Sequence, residues 1–258
     1  MISVEGVSHA YANGGVVLAD VSFTVEQCEK VTLIGVNGSG KTTLLKILDG
    51  LIVPKSGRYV YKDTHVTGGI LKKREFTRAF RREVVLLFQN PDAMIFNPSV
   101  FDEIAFGPRQ FGLDDIDDRV RHWADELGIS RFLDRPPFEL SRGEKQKVCL
   151  AALLALEPSL LLLDEPTASL DPRSTGWLVD YLQDLDATTL VTTHNLGLAA
   201  ELGERALVLS ESHELIFDGP LESLINDTDK LIEANLIHVH RHKHGELEHK
   251  HYHTHEWE

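Results

Sequence analysis

Residues 35 to 43 read Gly-Val-Asn-Gly-Ser-Gly-Lys-Thr-Thr, between the apolar run Val31 to Ile34 and the helix-prone run Leu44 to Leu48. Glycines at such a junction let successive backbone N–H groups converge on phosphate oxygens, and the helix that follows turns its positive dipole end toward the same anion. Gly35, Val36, Asn37, Gly38, Ser39, Gly40, Lys41, Thr42 and Thr43 are therefore the expected phosphate loop. In it Lys41 reaches the β- and γ-phosphates and the Thr42 hydroxyl is placed for Mg²⁺.

A second chemical cluster closes the run Leu160 to Leu163, which ends in Asp164-Glu165-Pro166. Carboxyl ends of strands are where ligands bind in open α/β sheets. Asp164 suits the Mg²⁺ of a bound nucleotide, and Glu165 suits the general base that activates the attacking water. His194 follows the apolar run Leu190 to Thr193, and Gln89 follows Val84 to Phe88. Singly, a histidine or glutamine there reads as a cap or a surface residue. Together the four strand ends predict one rim carrying Lys/Thr, Asp/Glu, His and Gln, which is the equipment for nucleotide hydrolysis.

These residues need a scaffold, and the periodicity supplies one. Residues 2 to 8 and 16 to 27 alternate apolar and polar around the turn Asn13-Gly14-Gly15, which predicts a half-buried antiparallel hairpin. Short apolar strands at 31–34, 84–88, 160–163, 190–193 and 206–209 alternate with helical patterns at 40–50, 142–156, 173–185 and 195–203. That alternation predicts a parallel sheet flanked by helices. Residues 99 to 135 carry no strand signal and predict a helical lobe; residues 221 to 237 predict a small helical end-piece.

Composition narrows the class. The chain has 258 residues, 42% hydrophobic and 26% charged, as in an ordinary globular protein. A formal net charge of −14 with no basic cluster argues against a nucleic-acid surface. Cys28 and Cys149 form no Cys-x-x-Cys pair, so neither a disulfide framework nor a thiolate zinc site is expected, and a reducing cytoplasmic setting is. The longest membrane-span candidate, Val148 to Leu163, is broken by Glu157 and Pro158, and the N-terminus shows no export signal. Any work at a membrane is then expected to run through partners.

The segment Leu140-Ser141-Arg142-Gly143-Glu144-Lys145-Gln146 resembles the signature of ATP-binding-cassette ATPases. That family's other motifs follow in its order: Gly35 to Thr43, Gln89, Asp164-Glu165, Ser169-Leu170-Asp171 and His194. The resemblance covers about residues 1 to 225. It implies an α/β P-loop NTPase domain, residues 1–237, with a mixed or parallel sheet core, an N-terminal antiparallel β subdomain and an inserted α-helical subdomain at about 91–156. It also implies an ATPase in which Gln89 joins Thr42 and Asp164 around Mg²⁺, Lys41, Gln89, Glu165 and His194 are catalytic, and Tyr11 stacks on adenine. ATP lies between two subunits, so Ser141, Arg142, Gly143 and Glu144 act in trans with Asp171 beside them, and a homodimer is expected. Arg142 stands where the family usually has glycine; a tolerated variation and an added charge near the γ-phosphate are both open.

The stretch Phe88-Gln89-Asn90-Pro91-Asp92, followed by Phe96, Pro98, Ala105-Phe106-Gly107-Pro108 and Gly112-Leu113, is similar to energy-coupling-factor import ATPases of the cobalt and nickel type. This implies a transmembrane coupling subunit, a substrate-binding membrane subunit and a peripheral place at the cytoplasmic face of the cell membrane. Asp92 is then where an arginine of the coupling helix docks, against the alternative of a solvated carboxylate. An ATPase for another substrate, such as a vitamin, and a non-transport cassette ATPase are the competing readings.

Eight of the 13 histidines lie after Ile237: His238, His240, His242, His244, His249, His251, His253 and His255. Spacing of two puts each quartet on one face of an extended strand, where neutral imidazoles can share Ni²⁺, Co²⁺ or Zn²⁺. The other reading of residues 238–258 is a disordered tail with weak metal binding and no role in transport. Imidazole suits several borderline metals, so the tail does not select among them.

Overall fold

The computed structural model describes residues 1–12, 14–168, 170–244 and 247–254, those from His238 onward by backbone alone. The chain opens with β1 (Ile2–Ala10), β2 (Val16–Val25), β3 (Lys30–Ile34), α1 (Lys41–Leu48), β4 (Ser56–Tyr61) and β5 (Thr64–His65). It continues through α2 (Arg74–Glu83), β6 (Val84–Leu87), α3 (Val100–Phe111), α4 (Ile116–Glu126), α5 (Arg142–Leu154), β7 (Leu160–Leu163) and α6 (Pro172–Asp184). It closes with β8 (Thr188–Thr193), α7 (Leu196–Leu202), β9 (Arg205–Leu209), β10 (Leu215–Pro220), α8 (Leu221–Ile225), α9 (Thr228–Glu233), β11 (Ile237–His244) and β12 (Leu247–Thr254). The described residues gather into two compact units, Met1–Val66 with Leu190–Glu258, and Thr67–Thr189; β8 runs across the division.

In the first unit an antiparallel sheet has the order β2-β1-β4-β5. The expected hairpin is there, with Val4 opposite Phe23, and alternation buries Val4, Val21, Phe23 and Val25 on one face. Strands β4 and β5 have no counterpart in the sequence reading, because Ser56-Gly57-Arg58 hides the short apolar stretch Tyr59 to Tyr61 behind turn-forming residues. Beside this sheet in the same unit, β3 pairs parallel with β9 and β9 antiparallel with β10, so this sheet is mixed. Strand β3 is buried from Val31 to Ile34, as a strand covered on both faces must be. A core cluster joins Ile34 to Val208, Leu221, Leu224, Leu231 and Leu236, so the helical end-piece packs beneath the strand that leads into the phosphate loop.

The second unit pairs β6 parallel with β7, from Val84 opposite Leu160 to Leu87 opposite Leu163. Its helices are bounded by local chemistry. Ser99 caps α3, accepting from the Asp102 N–H at 3.0 Å, and Gly112 ends it at φ 62°. Asp171 caps α6 ahead of Pro172, a residue suited to the first helical position. Helix α3 packs on α4 and α5, and Val100, Ile104, Val120, Val148 and Leu154 of these helices are buried. The 99–135 stretch is helical, as its missing strand signal predicts.

Within residues 238–258 the described backbone carries most of β11 and all of β12. The backbone of β11 pairs antiparallel with β12, with His238 opposite His253, His240 opposite His251 and His242 opposite His249. Period-two alternation gives each segment a partner of matching pattern, and mutual pairing satisfies both backbones. The histidine side chains, and all of His255, lie outside the described residues.

Candidate nucleotide site

Strand β3 delivers the chain at Ile34 into Gly35, and α1 starts at Lys41, so the glycine run is a strand-to-helix turn. Close approach dictates two of its glycines. A Cβ on Gly35 would lie 2.6 Å from the Leu209 carbonyl oxygen, and one on Gly40, at φ 113°, would lie 2.2 Å from that of Val17. The Ser39 N–H donates to the Val36 carbonyl at 3.2 Å, closing the loop. Lys41 is buried, and its Nζ donates to the Gly35 and Val36 carbonyls at 2.6 and 3.2 Å. The ammonium is thereby held over the loop rather than free to wander.

The first unit places further groups. Tyr11, just past β1, is 43% exposed, and its hydroxyl lies 3.2 Å from the buried Thr43 Oγ1. Thr42 is exposed in the first turn of α1. His213 supports the loop from β10's side, its Nδ1 3.2 Å from the Ser39 carbonyl oxygen; nothing in its sequence setting marks it. His194 is exposed at the carboxyl end of β8, where Asn195 caps α7 by accepting from the Leu198 N–H at 3.1 Å.

The second unit holds the carboxylates and the glutamine. Parallel pairing of β6 with β7 brings their carboxyl ends level, and the Asp164 N–H donates to the Leu87 carbonyl at 2.9 Å. Gln89, exposed, and Asp164, buried, thus leave neighbouring strand ends, as their sequence positions predict. Glu165 is buried with φ 47°. A left-handed backbone at a non-glycine residue costs about 1–3 kcal/mol and persists where the surroundings dictate it.

The signature segment is the N-terminus of α5. Ser141 and Glu144 form a reciprocal cap: the Ser141 N–H donates to Glu144 Oε2 at 2.9 Å, and the Glu144 N–H donates to Ser141 Oγ at 3.4 Å. Arg142 is exposed at the first helical position. A Cβ on Gly143 would meet Leu170 and Ser174 only at ordinary contact distances, 3.6 and 3.7 Å. An open hollow of about 460 Å³ is lined by Ser141, Arg142, Gly143, Glu144 and Asp171, together with Arg131 and Lys147. Asp171 is already engaged, accepting from Arg173 N–H, Ser174 N–H and the Ser174 hydroxyl. That hydroxyl, foremost, holds its carboxyl below the ordinary value. Ser169 lies outside the described residues.

Arg131 and Lys147 escape the sequence reading. Lys147 has a positional signal, lying four residues after Gly143 and so on the same helical face. Its Nζ sits 4.1 Å above the Trp177 ring, and burial, aided by Arg173, lowers its pKa. Arg131 stacks 4.5 Å over Phe132 and lies 3.8 Å from Glu144 Oε1.

A glycine loop with no room for a Cβ at Gly35 or Gly40, a helix N-terminus behind it and a buried lysine define a phosphate-binding NTPase fold. Residues 18–168 match the family model described as "ABC transporter". A protein of Methanosarcina acetivorans named as an ABC transporter ATP-binding protein is 42% identical over 246 residues, covering 92% of this chain and 89% of that one. A protein of Caldanaerobacter subterraneus with the same description is 41% identical, covering 92% and 99%. Among solved structures, CbiO1 of Clostridium perfringens, part of the ABC transporter complex CbiONQ, superposes with a TM-score of 0.76 at 29% identity over 91% and 94%. A dimeric ATP-binding cassette in a post-hydrolysis state with ADP and Pi gives 0.77 at 26% identity over 86% and 99%. The chain belongs to the ABC transporter family, as an ATP-hydrolysing cassette subunit.

The residues present fit MgATP. Gly35 and Gly40 let the loop pack against the Leu209 and Val17 carbonyls, and the buried Ser39 hydroxyl within it has no protein partner among the described residues. Thr42 in the first unit and Asp164 in the second each offer the oxygen ligands Mg²⁺ takes. The metal would supply neutralisation of phosphate charge. Among the described residues no helix is long and apolar enough to cross a membrane, and no group of three His, Cys, Asp or Glu could hold a metal ion.

Proposed function

We propose that this chain powers an energy-coupling-factor importer of nickel or cobalt as a homodimer at the cytoplasmic face of the membrane. Lys41 and the glycine loop hold the triphosphate, Tyr11 stacks on adenine, and Thr42, Gln89 and Asp164 would hold Mg²⁺. Glu165 draws the proton from the attacking water, and Gln89 and His194 position that water and the departing phosphate. Ser141, Arg142, Gly143 and Glu144, with Asp171, complete the site of the second subunit.

The observation that carries the importer reading is an exposed aromatic pair beyond the Gln89 turn. Phe96 is 66% exposed and packs edge-to-face on the half-exposed Phe106, ring centroids 4.8 Å apart. Burying such rings against a coupling helix is favourable in a way that leaving them in water is not. The likeness to a component of CbiONQ supports the same reading, and the histidine-rich strands support a transition metal as cargo, which they would hold transiently.

The test is accumulation of nickel and of cobalt in cells that carry this chain as their only ATPase of the kind. Glu165→Gln is expected to abolish uptake while the purified protein still binds ATP. Normal accumulation of both metals with Glu165→Gln overturns the metal reading. Failure to copurify with any membrane protein overturns the importer reading as a whole.

A further inference from the structure

His9 stands near the end of β1, opposite Leu18 of β2 and two residues before Tyr11. It is 8% exposed, and its Nδ1 is buried without a hydrogen-bond partner among the described residues. Its ring meets that of Tyr11 edge to face, centroids 5.1 Å apart and planes at 81°. Tyr11 is pinned at its other end, where its hydroxyl lies 3.2 Å from Thr43 Oγ1 in the first turn of α1. Between these two contacts the tyrosine still exposes 43% of its surface.

A half-exposed ring fixed at its edge and at its hydroxyl has little rotamer freedom left to lose when a flat ligand stacks on it. Preorganisation of that kind turns contact area into affinity. Leaving a buried imidazole nitrogen unpaired costs stability that an apolar ring of similar shape would not. Beside its place in the β1–β2 ladder, His9 turns its ring to Tyr11.

We infer that His9 is a positioning residue that sets the Tyr11 ring as the platform for the adenine base, so that the triphosphate and the base are gripped by separable parts of one unit. The inference rests on the proposal that Tyr11 stacks on adenine. It concerns the base only: Lys41 and the glycine loop hold the phosphates without help from His9.

The experiment compares binding of ATP and of inorganic tripolyphosphate to the full chain carrying His9→Ala, His9→Phe, Tyr11→Ala or the His9→Ala/Tyr11→Ala pair. Tyr11→Ala is expected to weaken ATP about 10-fold and leave tripolyphosphate unchanged. His9→Ala is expected to weaken ATP about 3- to 10-fold, again sparing tripolyphosphate, and to add nothing in the Tyr11→Ala background. His9→Phe keeps a ring against Tyr11 and restores ATP binding. A merely structural His9 would lower the melting temperature of His9→Ala without changing the ratio of the two affinities. Unchanged ATP affinity in His9→Ala, with Tyr11→Ala impaired, overturns the inference alone. An unchanged ratio in Tyr11→Ala overturns the stacking reading and the inference together.

Discussion

Lys145 Nζ lies 2.6 Å from Asp92 Oδ1, joining the first turns of α5 to the turn that follows Gln89. Lys145 is largely covered, at 16% exposed, while Asp92 is 61% exposed. The carboxylate expected to receive a coupling-helix arginine therefore already has a cation from the signature helix. Its outer side remains open to a second, so a docking arginine would share the carboxylate and tug directly on α5. Asp92→Ala is expected to change the melting free energy by less than about 1 kcal/mol, as befits an exposed pair. ATP binding should be unchanged and stimulation of ATPase by the membrane partner lost. Lys145→Met should mimic the loss of coupling, and unchanged transport in both variants would sink the docking role.

Gly40→Ala tests the loop geometry. The added Cβ would sit 2.2 Å from a backbone oxygen at a φ of 113°, a conformation an L side chain rarely adopts. Relief requires moving the N-terminus of α1, so ATP affinity should fall at least about 10-fold, with about 1–3 kcal/mol of stability lost. Gly38→Ala is the control: it shares a positive φ, 87°, but its Cβ meets nothing within 4 Å. The two variants should strain the backbone alike and differ in ATP affinity, measured by calorimetry.

Much of the machinery was legible because it depends on local rules. Residues 35–43 had to be a turn since glycines follow a buried strand; α1, α5, α6, α7 and β7 fall within a residue or two of where periodicity and caps put them. What escaped depends on contacts distant in sequence. Strand β4 exists because β1 offers an edge, with Val4 opposite Tyr59, and β5 pairs in turn with β4; a local pattern of Gly, Arg and Tyr does not announce that edge. His213 reaches Ser39 across 174 residues. Helix α2, with only Phe80 buried, carries too narrow an apolar stripe to stand out from its charges. Asp92 shows the remaining limit: its position was legible, its internal partner Lys145 was not.

The signature cap predicts a pH dependence. Partial burial pushes the Glu144 carboxyl up, but the Ser141 hydroxyl and N–H, with Arg131 and Arg135, outweigh it and the pKa lies below the ordinary value. A carboxylate with a depressed folded-state pKa contributes stability that is present above its unfolded pKa, about 4.3, and lost as pH falls through the lower folded value. Ser141→Ala should cost about 1 kcal/mol at pH 7 by removing the cap. The difference in melting between wild type and Ser141→Ala should narrow as pH drops below about 4. A difference constant from pH 7 to 3 would show that Glu144 is not held by Ser141.

Cys149 gives a probe of the same helix. Its thiol is buried, its Sγ is 3.8 Å from the Pro91 carbonyl oxygen, and burial, with Glu103 and Asp92 nearby, pushes its pKa up to about 12. Thiolate is the reactive form, so at pH 8 only about one part in ten thousand would be present even if reagent could enter. Cys28 is exposed. A maleimide should therefore label one site per chain in the native protein and two after unfolding. Because Cys149 touches the turn that carries Asp92, opening of that turn would uncover it. Labelling of Cys149 should accelerate in Asp92→Ala and in Lys145→Met, read as the rate of a second adduct by mass spectrometry. Equal rates in all three proteins would mean that the Asp92 to Lys145 pair does not hold the turn against α5.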